Sequence, residues 1–156
     1  MLVTLRMALL SELPAIEAII RDAYTPYISR IGRKPGPMLD DYSALIRDGR
    51  IHVADVDGRA LGLVVIIPQA DAMLLDNVAV SPDSQGVGVG RRILEFVEQT
   101  AIDAGFGFVK LYTNEAMSEN IALYTRRGYE ETHRTEESGL RRVYMRKALG
   151  TARNPA

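Results

Sequence analysis

The chain contains no cysteine, which removes disulfides, thiolate metal sites and cysteine nucleophiles together. Histidine is almost as scarce: His52 and His133 stand apart from each other and from any metal-ligand spacing, whereas a zinc site draws on three or four clustered ligands. No metal is expected. Neither sign of charge dominates, since 19 Lys and Arg meet 20 Asp and Glu for a formal net charge of −1. A nucleic-acid partner calls for a basic field, so none is expected. Long hydrophobic runs are missing too. The strongest, Leu61 to Pro68, falls far below the ~20 residues of a membrane span. Arg6 interrupts the short apolar start, and no small-residue cleavage pattern follows it. These absences point to the cytoplasm and away from a membrane.

What is present reads as a globular chain. Its 156 residues are 47% hydrophobic and 25% charged, enough to bury a sizeable core without staples. One domain is expected over residues 1–147, with 148–156 as a flexible tail. Val3 to Met7 reads as a strand, and Leu13 to Tyr24 as a helix capped by Ser11 and ended by Pro26. The Gly- and Pro-containing stretch from Arg30 to Pro37 reads as a loop and Met38 to Asp48 as a helix stopped by Gly49. Two strands, Ile51 to Asp55 and Ala60 to Pro68, meet at Asp57-Gly58, which suits a type I′ hairpin turn. Met73 to Val80 is a further strand; Val89, Ile93, Val97, Ala101 and Ala104 then recur at helical spacing until Gly105. Phe108 to Thr113 is a strand, and a short helix from Glu119 to Arg127 follows with Ser118 as its cap and Gly128 as its stop. A final hairpin from Tyr129 to Lys147 turns at Ser138-Gly139.

The informative segment is Val78-Ala79-Val80-Ser81-Pro82-Asp83-Ser84-Gln85-Gly86-Val87-Gly88-Val89-Gly90-Arg91-Arg92. A strand runs into alternating glycines and then into a helix. Glycines let backbone N–H groups converge without Cβ interference, and the helix adds unpaired donors and the positive end of its dipole. Arg91 and Arg92 lie in that helix's first turn, where a cation opposes the dipole; either they are simply solvated or an anion sits nearby. The ligand this arrangement favours carries phosphates. A P-loop would place Lys and Ser or Thr after the last glycine, and a dinucleotide site would show G-x-G-x-x-G with an acid roughly 20 residues on. The chain has neither.

Gln85-Gly86-Val87-Gly88-Val89-Gly90 fits the (Arg/Gln)-x-x-Gly-x-(Gly/Ala) pattern for coenzyme A, and the strand Val78-Ala79-Val80 leads into it as expected, so the chain resembles the GNAT superfamily of N-acetyltransferases. Asn120-Ile121-Ala122-Leu123-Tyr124-Thr125-Arg126-Arg127-Gly128-Tyr129 is similar to that family's later signature. The resemblance implies an α/β (α+β) fold with a mixed, mostly antiparallel sheet of six to seven strands flanked by about four helices. It also implies acetyl-CoA as co-substrate, bound by Val78, Ala79, Val80, Gln85, Gly86, Val87, Gly88, Val89, Gly90, Arg91, Asn120 and Tyr124.

In the resembling family a strand N–H polarises the acyl carbonyl where a bulge splays the strand from its neighbour. Asp76 and Asn77 are poor strand formers in an otherwise apolar strand, as such a bulge would leave them. Asp76 is the nearest carboxylate to take the amine proton, with Asp71 and Asp41 as weaker alternatives. The resemblance places Tyr124 over the thioester sulfur, where a phenol can protonate the leaving thiolate. Asn77 and Asn114 are candidate acceptor contacts, although Asn114 alternatively caps a turn. Arg30, Arg33 and Lys34 form a basic loop, either solvated or recognising a carboxylate or phosphate on the acceptor. The expected activity is direct transfer of an acetyl group to a small amine by a monomer or homodimer. The alternatives are an acyl-CoA sensor and an acetyltransferase acting on protein lysines or N-termini.

Overall fold

A computed structural model describes residues 2–150. Among them lie seven strands: β1 (Thr4–Met7), β2 (Ile51–Val56), β3 (Arg59–Pro68), β4 (Met73–Val80), β5 (Phe108–Asn114), β6 (Glu130–Glu137) and β7 (Leu140–Ala148). The α-helices are α1 (Leu13–Ile31), α2 (Tyr42–Arg47), α3 (Val89–Asp103) and α4 (Ser118–Arg126). The strands form one sheet in the order β1-β2-β3-β4-β5-β7-β6. β4 and β5 run parallel. The β1/β2, β2/β3, β5/β7 and β6/β7 pairs are antiparallel. This is the mixed, mostly antiparallel α/β fold expected. No described helix is long and apolar enough to cross a membrane.

The chain divides into two compact units, one of residues up to Ile66 with Asn77–Ile93 and one of Ile67–Asp76 with Leu94 onward. In the first, Ile16, Ile51, Val53, Leu63, Val64, Val65 and Ile93 are fully buried, each contributing about 1.5–3 kcal/mol by leaving water. Leu63 to Ile66 are buried on consecutive positions, so both faces of β3 are covered there. Arg6 knits the edge of this unit. Its guanidinium makes a bidentate pair with Glu12 at 2.8 and 2.9 Å and a third bond to Asp55 at 2.8 Å. These bonds hold both carboxylates below their ordinary range. In the second unit Leu94, Val97, Ala101, Val109, Leu111, Val143 and Met145 make the core.

Local chemistry sets the ends of the elements, and in several places it differs from the sequence reading. The helix expected from Met38 to Asp48 is instead a 3₁₀ turn, Gly36–Leu39, then extended backbone at Asp40 and Asp41, then the shorter α2, because the Asp41 side chain caps α2 at Ala44 N–H. Ser11 does not cap α1: a 3₁₀ turn, Leu10–Glu12, precedes the helix, and the Glu12 carboxylate accepts the Leu9 N–H at 2.9 Å. Pro26 does not end α1 either. A proline inside a helix forfeits one hydrogen bond and crowds the carbonyl four residues back. Here Tyr24 anchors the helix on β4 just before that point, and Thr25 Oγ1 donates to Arg21 O at 2.5 Å. The helix stops only at Gly32, whose φ of +89° is left-handed and whose N–H closes on Ile28 O at 2.8 Å. Arg30 is therefore helical rather than in a loop. Ser118 is the first residue of α4 and not its cap, a position held by Met117. Both hairpin turns match: Asp57 and Gly58 have φ of 53° and 85°, Ser138 and Gly139 of 53° and 80°, the paired positive values that type I′ requires. Of the expected tail, Ala148 still belongs to β7 and Leu149 N–H bonds Gly107 O at 2.9 Å. Residues 151–156 lie outside the described residues.

Candidate active site

The residues singled out from the sequence fall into two sets, one in each unit. In the first, β4 leads through the 3₁₀ turn Pro82–Ser84 into the glycine segment. Ser81 N–H is tied to Leu61 O at 2.8 Å and the Gln85 amide nitrogen to Val80 O at 3.1 Å, so the turn is anchored at its base. Gly86 and Gly88 have φ of 82° and 93°, conformations that cost a non-glycine residue roughly 1–2 kcal/mol. Gly90, by contrast, lies inside α3. A Cβ on Gly86 would meet nothing within 4 Å, and one on Gly88 would meet only the end of Arg91 at 3.6 Å; the space before this turn is open. Val87 between them is 57% exposed, while Val89 and Ile93 behind are buried and hold the start of α3. Arg92 N–H bonds Gly88 O at 3.0 Å, which ties the glycine turn to the first turn of α3. The two left-handed glycines run directly into the N-terminal end of α3, the positive end of its dipole. That geometry suits an anion.

Gly62 on β3 makes this placement feasible. A Cβ there would stand 3.0 Å from Ala79 O, 3.2 Å from Ile93 Cδ1 and 3.4 Å from Val89 Cγ1. Backbone of β3 and side chains of α3 touch directly at that point.

Asn77 is 4% exposed, and both its amide atoms are engaged. Its oxygen accepts from Tyr24 Oη, which also approaches Val78 O at 3.0 Å. Its nitrogen donates to Tyr42 Oη at 2.8 Å, and Tyr42 Oη donates to Pro37 O at 2.5 Å. One buried amide thus fastens α1, α2 and the 36–39 turn to β4. Arg30, in the last turn of α1, lies over the Tyr27 ring at 5.0 Å, and Arg33 is exposed. Asp41 caps α2, accepting from Ala44 N–H at 3.1 Å and Ser43 Oγ at 2.7 Å, which lowers its pKa.

In the second unit the β4/β5 ladder holds two pairs, Met73↔Val109 and Leu74↔Lys110, and β4 continues beyond it. The alternation of buried and half-buried residues along β4 is unbroken through Asp76 and Asn77. The departure from β5 therefore comes as a parting of the strands rather than an inserted residue. Asp76 is half-buried on the face opposite Leu75. Asp71 is exposed and paired with Lys110 at 3.0 Å, which lowers its pKa. Asn114 caps a turn through its Oδ1, which accepts Ala116 N–H at 2.8 Å. Asn120 Nδ2 lies 3.7 Å from Met117 Sδ. Tyr124 is 7% exposed, with its ring edge-on to Tyr129 at 5.8 Å.

Sequence reasoning missed Glu98. This buried carboxylate accepts from Arg127 Nη2 at 3.0 Å and Nε at 3.3 Å, from Lys147 Nζ at 2.9 Å and from Tyr129 Oη at 3.2 Å. Burial and the negative charge of Glu98 push the Tyr129 phenol well above its ordinary range. A signal was present, since Glu98 stands between Leu94 and Ala101 on the apolar stripe of α3, where a charge needs a buried partner.

Residues 47–131, more than half of the chain, match the acetyltransferase (GNAT) domain. The chain belongs to the GNAT family of acetyltransferases. Solved structures agree on the fold. This GNAT chain is similar to the ribosomal-protein-S18-alanine N-acetyltransferase from Escherichia coli, with 19% identity over 99% of each chain and a TM-score of 0.76. It is similar to a PaiA N-acetyltransferase from Thermoplasma acidophilum solved with coenzyme A, with 15% identity over 96% of this chain and 100% of that one and a TM-score of 0.75. A ribosomal-protein-alanine N-acetyltransferase from Brucella melitensis follows at 22% identity, 94% and 99% coverage and a TM-score of 0.70. No curated protein sequence matches the chain significantly.

Proposed function

We propose that this GNAT protein transfers the acetyl group of acetyl-CoA directly to the amine of a small acceptor in a ternary complex, in the cytoplasm. The observation that carries the reading is the Gly86–Gly88 turn, left-handed at both glycines and opening straight onto the first turn of α3. The chain's Val78, Ala79 and Val80 and the segment from Gln85 to Arg91 hold the co-substrate, with its pyrophosphate against the N–H groups of the turn, and Asn120 contacts it from α4. The β4 backbone beyond Leu74, where the ladder to β5 ends, polarises the thioester carbonyl.

The amine lone pair forms the new C–N bond and the C–S bond breaks with its electrons on sulfur. The amine proton passes to Asp76, directly or through water, and Tyr124 gives its proton to the leaving thiolate. Unperturbed values near 8.5 for a thiol and 10 for a phenol make that last transfer uphill by about 2 kcal/mol, so Tyr124 assists rather than decides the reaction. Asp76 is preferred as base because it stands on β4 two residues beyond Leu74, where the ladder to β5 ends, beside the backbone that polarises the carbonyl. Arg30 and Arg33 meet an acidic group on the acceptor. Asn114 contributes its amide nitrogen to the acceptor side, and Asn77 shapes that side through the tyrosines that engage it.

A protein N-terminus is the second reading. It is favoured by the likeness, over at least 94% of both chains, to structures whose names specify ribosomal-protein alanine. Free-thiol release from acetyl-CoA, screened against amino acids, polyamines, aminoglycosides and N-terminal peptides, separates the two. Turnover with carboxylate-bearing amino acids is expected. Reaction with peptides alone establishes the second reading, and tight acetyl-CoA binding with no turnover across the panel makes the protein a sensor.

A further inference from the structure

The Glu98 cluster is not needed to neutralise a charge, for one cation would do that. Four donor contacts from three side chains converge on one carboxylate that is 7% exposed, two on each oxygen, which fills the lone-pair sites a carboxylate has. Buried ion clusters gain little stability over an apolar replacement of the same volume. What this one does is fix geometry. Tyr129 sits at its centre, 2% exposed, with its hydroxyl on Glu98 and Lys147 Nζ 5.9 Å from its ring centre.

Tyr129 is in turn bound to Tyr124 twice. Gly128 has a left-handed φ of +100°, and that turn folds the chain back so that Tyr129 N–H reaches Tyr124 O at 3.0 Å. The two rings meet edge-on at 5.8 Å and 61°, a favourable aromatic geometry. Glu98 therefore grips α4 from two sides, at Arg127 just beyond its last residue and at the ring that packs on Tyr124.

We infer that Glu98 and Tyr129 are positioning residues that hold the Tyr124 phenol in its reactive orientation, an inference that rests on the proposed role of Tyr124 in acetyl transfer. Tyr129→Phe keeps the ring and removes the bond to Glu98, so it tests the link with little change of volume. Glu98→Gln tests the charge. A displacement of about 1 Å in a reacting group costs up to about 100-fold in rate; a loosened phenol should cost roughly tenfold.

The measurement is thiol release from acetyl-CoA with the fastest amine of the screening panel, for the parent, Tyr129→Phe, Tyr124→Phe and the double variant. It is paired with NMR of ring-labelled tyrosine, in which Tyr124→Phe identifies the Tyr124 signal. The expected result is about a tenfold lower kcat for Tyr129→Phe with KM for acetyl-CoA unchanged, no further loss when the same change is made in Tyr124→Phe, and a shifted Tyr124 ring signal. An equal loss in both backgrounds, or none in the parent with an unmoved ring signal, overturns the positioning role while leaving Tyr124 in place. If Tyr124→Phe alone matches the parent, the role of Tyr124 falls and the inference with it. Should Glu98→Gln fail to fold, Tyr129→Phe alone decides.

Discussion

Replacing Gly62 with alanine should destabilise the protein and weaken acetyl-CoA binding together, because one contact supports both. Gly62 has ordinary extended backbone, so no left-handed strain enters. Reduced freedom of the unfolded chain would on its own stabilise the variant by about 0.4–1 kcal/mol. Against that stands the new Cβ, 3.0 Å from Ala79 O, 3.2 Å from Ile93 Cδ1 and 3.4 Å from Val89 Cγ1. The Ile93 methyl can rotate away, but the Ala79 carbonyl is backbone of β4 and the first turns of α3 lie behind Val89. Overpacking of this kind costs about 1–3 kcal/mol. The net loss is about 1–2 kcal/mol, which for a chain of this size lowers Tm by roughly 2–8 °C. Because the side chains pushed aside belong to the helix that opens at the glycine turn, calorimetric titration should show weaker acetyl-CoA binding as well. A Tm that rises with affinity unchanged would refute the reasoning, for it would show that α3 yields freely and that the entropy gain wins.

Gly88→Val should weaken acetyl-CoA binding severely while circular dichroism stays near the parent's, since the position is left-handed and open; unchanged affinity removes the anion seat. Tyr124→Phe should lower kcat roughly 10- to 1,000-fold, with the loss shrinking as pH rises and the thiolate leaves without help. Tyr42→Phe deprives Asn77 Nδ2 and Pro37 O of a partner and should cost about 1–3 kcal/mol of stability, read as a lower urea midpoint; a midpoint equal to the parent's would mean that the buried amide finds another partner. Arg6 holds the carboxylates of Glu12 and Asp55 below their ordinary range, so their contribution is present above about pH 4 to 4.5 and is lost as pH falls through the lowered values. The urea midpoint of the parent should therefore drop more steeply below that pH than that of Arg6→Met, and parallel curves would count against the network.

Much of this fold was legible because its signals are local. Asp57-Gly58 and Ser138-Gly139 specify their turns by the positive φ that each pair must adopt, and β4 was read from Met73 to Val80 because its apolar run and its ends are both local. The glycine segment was legible for the same reason: a strand, a turn and a helix within fifteen consecutive residues carry the whole signal. Pro26 misled because a proline's local cost is real. What outweighed it was Tyr24, whose partner Asn77 lies 53 residues away.

The polar centres escaped the sequence for a related reason. Asn77 looked like a strand defect, or a contact for the acceptor, until Tyr24 and Tyr42 arrived from helices that share no spacing with it. Glu98 drew no reading from the sequence, because its partners Arg127, Tyr129 and Lys147 lie 29, 31 and 49 residues away. In each case a buried polar side chain without a local partner was the visible part of the signal, and physical chemistry already required that partners exist. An asparagine in the middle of an apolar strand and a glutamate on an apolar stripe therefore mark where helices are fastened to strands. In this chain the two fastened groups of elements are those that carry the candidate acceptor residues and Tyr124.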